Sequence, residues 1–306
     1  MERVRLMCWC RTSVSGAHLP AFAAVEGRLF AEQGLEVEFV DCARSLDWTL
    51  RGFSTRVSAV AAGEADFALT SVAYLLAAQS EAGGGLPVRF AAVSHQRNPI
   101  VGVVRGDSQL EEPEDLAGAR AAIWIMPWFT QEYAGALAHM GFGPPAVVET
   151  QDPGAALGRG EVDVIPTWMD MTLAHRRDAD FSIRTVPLDI EVYATGLVAA
   201  DRLPLELVTR VRDAFVAGYA LQCDQPELGI AGFRRRFPDV SEEHIVANWS
   251  LFEPYAFDGA PPGSMAADRW QATIDYTAAT HGLSTFPGER IYRPELLAPA
   301  MERSPC

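Results

Sequence analysis

Residues able to bind or transform a small molecule gather in this chain at points where an apolar run stops. The first apolar run, Val4 to Cys10, gives way to the polar stretch Cys10 to His18. There Thr12, Ser13 and Ser15, with the Gly16 backbone, could donate hydrogen bonds to an anion at the start of the next helix, or could simply cap that helix. His18, just before Leu19-Pro20, could touch a ligand or serve as a cap. Thr70 and Ser71 end another run where a helical pattern begins. His95-Gln96-Arg97 ends a third, and Arg97 could grip a carboxylate, sulfonate or phosphate through two parallel hydrogen bonds, or close a hinge ion pair. Trp128 and Thr130 follow a fourth run and Thr167-Trp168 a fifth. Trp128 and Trp168 could sandwich a flat ligand, although the core is the commoner place for tryptophan. Trp124, in mid-run, reads as core. Glu191 and Tyr193 precede a late apolar run and could reach the same place. For catalysis the candidates are a Cys10 thiolate and the imidazoles of His18 and His95 as acid and base.

Composition removes several kinds of chemistry. All 25 side chains of the lysine and arginine class are arginine, so no Schiff base can form and covalently bound pyridoxal phosphate is excluded. The six histidines are scattered without metal-ligand spacing, so no metal and no other cofactor is expected. Gly141-Phe142-Gly143-Pro144-Pro145-Ala146 has the spacing of a dinucleotide fingerprint. It follows a helical pattern, however, and its prolines lack the N–H groups a phosphate needs. A formal net charge of −15 argues against nucleic acid and against anionic membranes as partners. No run of 18 apolar residues occurs, so membrane insertion is not expected. The five cysteines are odd in number and scattered, which does not read as a disulfide framework.

The elements that must position these residues follow from periodicity. Strand and helix patterns alternate from Val4 to Val93, begin again after Pro99, and give way after Ala199 to a mostly helical final third. That order implies an α/β fold of mostly parallel sheets with right-handed crossovers. Gly63-Glu64-Ala65-Asp66 with its apolar strand and Thr70-Ser71 returns 97 positions later as Gly160-Glu161-Val162-Asp163 with Thr167-Trp168. Ligands of open α/β sheets sit beyond the carboxyl ends of strands, so two copies of such a strand suggest two lobes facing one cleft. The expected division places residues 1–98 and 195–306 in lobe one and 99–194 in lobe two.

In this order the chain resembles the type II periplasmic solute-binding proteins, nearest the group that binds sulfonates, nitrate and thiamine pyrimidine precursors. The residues that carry the resemblance are His18-Leu19-Pro20 with Glu26 to Val37, Asp107 to Gly118, the two Gly-Glu-x-Asp strands, and Ala194 to Ala199 with the helix from Leu205. The resemblance implies two lobes joined by two crossovers and closing over a ligand at the hinge, with a transporter permease as partner if the protein is exported. Trp128, Trp168, Arg97 and the hydroxyl-rich loops point to a small, planar or anionic organic ligand. The resemblance also implies an export signal. The first residues show none, so the chain as written reads as cytoplasmic, while a chain stripped of its signal would be extracytoplasmic and look the same. The rival reading is a lyase-type enzyme on this fold, a decarboxylase, desulfinase or dehydratase, working through Cys10, His18 or His95. Against it, the resemblance to the thiamine pyrimidine synthases needs a lysine that this chain lacks. The desulfinases carry a cysteine where Ser15 stands.

Overall fold

The computed structural model describes residues 1–7, 16–41, 50–123, 127–173, 175, 180–258 and 260–297. Its strands are β1 (Glu2–Met7), β2 (Leu35–Val40), β3 (Phe67–Ser71), β4 (Val88–Val93), β5 (Ile100–Arg105), β6 (Arg120–Ile123), β7 (Ala146–Glu149), β8 (Ile165–Trp168), β9 (Ile183–Pro187) and β10 (Thr195–Ala200). The helices are α1 (Leu19–Glu26), α2 (Leu29–Glu32), α3 (Leu50–Ala61), α4 (Val72–Glu81), α5 (Pro127–His139) and α6 (Pro153–Gly158). After β10 come α7 (Leu205–Asp224), α8 (Pro226–Arg236), α9 (Glu242–Ala256) and α10 (Ala267–His281). Among the described residues, no helix is long and apolar enough to cross a membrane.

Two sheets carry the two lobes. In the first the order is β2-β1-β3-β10-β4, with β1 parallel to both β2 and β3 and with β10 antiparallel to β3 and β4. In the second, β5 runs antiparallel to β8 and β9, and β6 pairs in parallel with β7. A bridge between Ala121 and Val164 sets β6 beside the lead into β8. The second order is therefore β7-β6-β8-β5-β9, which repeats the first position by position. In each sheet only the fourth strand runs against the others. β3 is buried along its whole length, which explains its unbroken apolar sequence.

The repeated motif builds the same joint twice. Gly63 and Gly160 end the helices before β3 and β8 with φ of 83° and 70°, a left-handed backbone that glycine adopts without a Cβ clash. Gly63 N–H donates to Val60 and Glu64 N–H to Ala59, while Gly160 donates to Leu157 and Glu161 to Ala156. This Schellman pairing satisfies the last carbonyls of each helix. The Asp then clamps an arginine of the neighbouring strand. Asp66 Oδ2 accepts the Arg5 backbone N–H at 2.9 Å and its Nε at 3.3 Å; Asp163 Oδ2 accepts both from Arg120 at 2.9 Å.

The crossovers between lobes lie side by side. Ser94 N–H donates to the Thr195 carbonyl at 2.8 Å and Asn98 N–H to Ile190 at 3.1 Å. Residues 188–194 run as an irregular crossover and β10 starts at Thr195. Pro254 lies inside α9, which continues past it to Ala256. Helix α10 packs against α5 and also against α4, spanning from one lobe to the other. Cys223 in α7 is disulfide-bonded, although five scattered cysteines do not read as a disulfide framework.

Candidate functional site

The ends of β3, β4 and β8 meet between the lobes, and the side chains there are aromatic or small and polar. Thr70 pairs with Gly196 across the first sheet and Thr167 with Val101 across the second. Both threonines are fully buried, and neither Oγ1 makes a hydrogen bond among the described residues. His95, just past β4, meets Thr195 Oγ1 through Nδ1, and its Nε2 is likewise buried without a partner among those residues. Burial lowers the His95 pKa to about 3, so the ring is neutral. One nitrogen then donates and the other accepts, and whichever role Thr195 assigns to Nδ1 leaves the opposite role at Nε2.

Aromatic rings gather around His95 and Trp168. His95 lies 5.9 Å from the Trp168 ring and 4.6 Å from Phe252. Trp128 meets Tyr74 of the opposite lobe at 5.6 Å and Trp168 at 5.3 Å, both edge to face. The two tryptophans stand at 85°. A flat ligand sandwiched between them would need parallel rings about twice the usual stacking distance apart, roughly 7 Å by aromatic contact geometry. The expectation of a tryptophan sandwich therefore fails in this arrangement: the pair forms a corner, and a ligand could meet only one face of each ring.

The reason for the corner is Glu132, on the inner face of α5. Its carboxylate accepts the Trp168 indole Nε1–H at 2.9 Å and the Asn98 side-chain amide at 2.7 Å. Burial pushes the Glu132 pKa up to about 7, with the two hydrogen bonds pulling the other way. The Asn98 amide oxygen accepts Ile100 N–H at 3.0 Å, which fixes the amide's orientation. Sequence reasoning missed both residues. Glu132 was nevertheless visible as a lone acid among Phe129, Tyr133, Ala136 and Leu137, the helical face that turns inward.

The remaining sequence candidates divide. His18 is buried at the start of α1, and burial together with the nearby positive charge of Arg56 lowers its pKa to about 3. Ser71 caps α4, its Oγ accepting Tyr74 N–H at 3.2 Å. Thr130 Oγ1 donates to the Ala122 carbonyl at 2.9 Å, tying α5 to β6 rather than facing a ligand. Arg97 is taken up by Asp189 at 3.0 Å and Asp258 at 3.4 Å and lies over the Tyr255 ring, the hinge alternative rather than an anion grip. Glu191 is exposed, while its neighbours Ile190 and Val192 in the crossover are buried. The Tyr193 hydroxyl accepts Ala266 N–H and its ring packs on Trp270, so it anchors α10 and not the cleft. Cys10, Thr12, Ser13 and Ser15 lie outside the described residues, as does Trp124. Among the described residues, no group of three or more His, Cys, Asp or Glu is placed to hold a metal.

Comparison with known proteins places this architecture. Residues 15–228 match the family model described as NMT1/THI5 like, and the chain belongs to that family. Its fold is that of the two-lobed periplasmic binding proteins. It is similar to the periplasmic aliphatic sulphonate-binding protein SsuA from Escherichia coli, with a TM-score of 0.71 and 16% identity over 100% of this chain and 97% of that one. It is also similar to the sulfonate-binding protein SsuA from Methylobacillus flagellatus KT, with a TM-score of 0.66 and 16% identity over 97% and 92%. The alkanesulfonate-binding protein SsuA from Xanthomonas axonopodis pv. citri, bound to MOPS, gives a TM-score of 0.62 and 16% identity over 95% and 98%. A comparison with curated proteins found no match.

Proposed function

We propose that the protein is a solute-binding protein that closes two lobes, residues 1–98 with 195–306 and residues 99–194, over a compact organic anion of the sulfonate type. The observation that carries this reading is the set of buried polar atoms without partners among the described residues: Thr70 Oγ1 and Thr167 Oγ1 at equivalent strand ends of the two lobes, and His95 Nε2 just past β4. A buried polar group left unpaired costs about 1–3 kcal/mol, so three together favour a ligand that would complete them. Hydroxyls and a neutral imidazole suit a sulfonate oxygen shell, and the aromatic rings beside His95 suit a small organic group. The lobe division is supported by the strand membership of the two sheets, and α10 joins them as a strap.

The same inventory weighs against turnover. His18 and His95 are both held neutral by burial, which suits hydrogen bonding better than proton transfer near neutral pH. An extracytoplasmic location and an importer permease as partner follow from the binder reading, and a disulfide at Cys223 suits an oxidising compartment.

The test is calorimetry in a sulfonate-free buffer with MOPS, ethanesulfonate and benzenesulfonate, followed by mass spectrometry of the recovered ligand. The expected result is saturable heat with at least one of them and a ligand returned unchanged. No heat and no rise in melting temperature at millimolar ligand would overturn the sulfonate reading. A chemically altered ligand would overturn the binder reading.

A further inference from the structure

Glu132 stands where three parts of the molecule meet. Its carboxylate takes one donor from the end of β8, Trp168, and one from the first crossover, Asn98. Its backbone carbonyl accepts the phenol of Tyr276 from the strap helix α10 at 3.4 Å. Trp168 in turn touches His95 and Trp128, so one carboxylate reaches the aromatic wall of the cleft and the hinge together. Both of its side-chain partners are donors, and neither can become an acceptor. The indole nitrogen has only its N–H, and the Asn98 amide is held by Ile100 N–H on its oxygen. The carboxylate gives each donor an oxygen of its own, whereas a carboxylic acid gives up one acceptor site to its own O–H and accepts more weakly from both.

We propose that Glu132 is a positioning residue that couples the hinge to the ligand-facing Trp168, so that ring orientation and lobe closure change as one event and both loosen when Glu132 takes up a proton. The proposal deepens the binder reading and rests on the cleft being the ligand site. The titratable groups around Glu132 come from several elements. Tyr276 of α10 and Tyr133 of α5 keep their protons, their phenols raised well above the ordinary value by burial. His139, also of α5, packs on the Tyr276 ring at 5.4 Å, and His95 beyond Trp168 is neutral. Arg97, next to Asn98, is paired with Asp189 and Asp258.

The coupling is tested without any ligand, on the full chain, by following the indole N–H resonance of Trp168 from pH 5 to 8.5. Trp168→Phe assigns the signal. The expected result is a single titration with its midpoint near 7, lost in Glu132→Gln, which also separates the carboxylate from His139. Asn98→Ala removes one donor from the carboxylate. It should move the midpoint up by about one unit, the order expected for losing a hydrogen bond to a charged group. A Trp168 signal that ignores pH, a titration that survives Glu132→Gln, or a midpoint unmoved in Asn98→Ala would each overturn the coupling. If Glu132→Gln does not fold, the Asn98→Ala midpoint decides. Failure here leaves the binder reading intact, because no ligand is present, and a missing sulfonate affinity leaves this coupling intact.

Discussion

The ends of β3 and β8 began as the same design and finish differently. Both start from a left-handed glycine, both place an Asp on an arginine of the adjacent strand, and both carry a buried threonine at the penultimate strand position. At the next position they part. In lobe one Ser71 caps the ten-residue helix α4, so the strand ends in a backbone helix start. In lobe two the same place holds Trp168, a 3-10 turn at Met169–Met171 follows, and the side chain donates its indole N–H to Glu132. A shared joint thus leads to two kinds of contact: a side-chain helix cap in one lobe, and an aromatic corner held by a buried carboxylate in the other.

The comparison is broken most directly by truncating the two differing residues. Trp168→Ala should cost about 3–5 kcal/mol, from the lost aromatic packing and the cavity it leaves. Ser71→Ala should cost about 0.5–2 kcal/mol, the loss of a helix cap. Urea unfolding of both variants measures this. Equal losses would mean that Trp168 is not the packing centre of its lobe.

Glu132 sharpens the comparison through pH. Its folded pKa lies near 7, above the ordinary glutamate value of 4.5. The folded state therefore holds a proton that the unfolded state releases between these values. Stability from this group is full below about pH 4.5 and is lost as pH rises through about 7, by roughly 3 kcal/mol at 1.36 kcal/mol per unit. The difference in unfolding free energy between wild type and Glu132→Gln should change by that order across the window. A difference independent of pH would show that the carboxylate is not buried as described.

The shared joint itself should not be equally strong in the two copies. Burial works to raise the Asp66 pKa, but hydrogen bonds from Arg5 and Arg202 outweigh it and hold the carboxylate below its usual range. For Asp163 the hydrogen bond from Arg120 lowers the pKa most, and its side chain is 35% exposed against 14% for Asp66. Asp66→Asn should cost about 1.5–3 kcal/mol, as for a buried charged hydrogen-bond acceptor. Asp163→Asn should cost about 1 kcal/mol or less, as for an exposed pair. Both contributions are present above the ordinary carboxylate pKa and disappear as pH falls through the lower folded values. Each variant should therefore flatten acid denaturation, Asp66→Asn more. Equal effects in a pH series of unfolding curves would remove the distinction between the copies.

What the sequence revealed follows the range of the interactions. The repeat was readable because a left-handed glycine, a helix stop and a strand-entry Asp are all local, and Thr70, Thr167 and His95 were readable as strand ends. Glu132 was hidden because Asn98 and Trp168 lie 34 and 36 positions away, so nothing beside it announces a partner. The same distance hid the fate of Arg97, whose acceptors Asp189 and Asp258 come from the other crossover and from beyond α9. Glu191 and Tyr193 were read as hinge residues able to reach the cleft, but Glu191 is exposed and the Tyr193 hydroxyl is taken up by Ala266 N–H, a partner 73 positions away. Ring orientation at Trp168 is set by a hydrogen bond and not by its neighbours in sequence, so a sandwich and a corner looked alike.

The smallest expected effect bears on the feature that the two strand ends still share. Thr70→Val and Thr167→Val keep the shape of each side chain and remove a hydroxyl that has no partner among the described residues. Taking an unsatisfied polar group out of a buried site should leave the ligand-free protein as stable as before or more stable by up to about 1 kcal/mol, the opposite of the usual loss on substitution. The same changes should weaken sulfonate binding about tenfold each, one hydrogen bond to the ligand. If both hydroxyls serve one ligand, the double variant should lose more affinity than either alone while remaining at least as stable. Thermal unfolding without ligand and calorimetry with the bound sulfonate measure the two arms on the same samples. A loss of stability in both ligand-free variants would mean that the hydroxyls already have structural partners. The two threonines would then be another piece of the repeated joint and not the pair that faces the ligand.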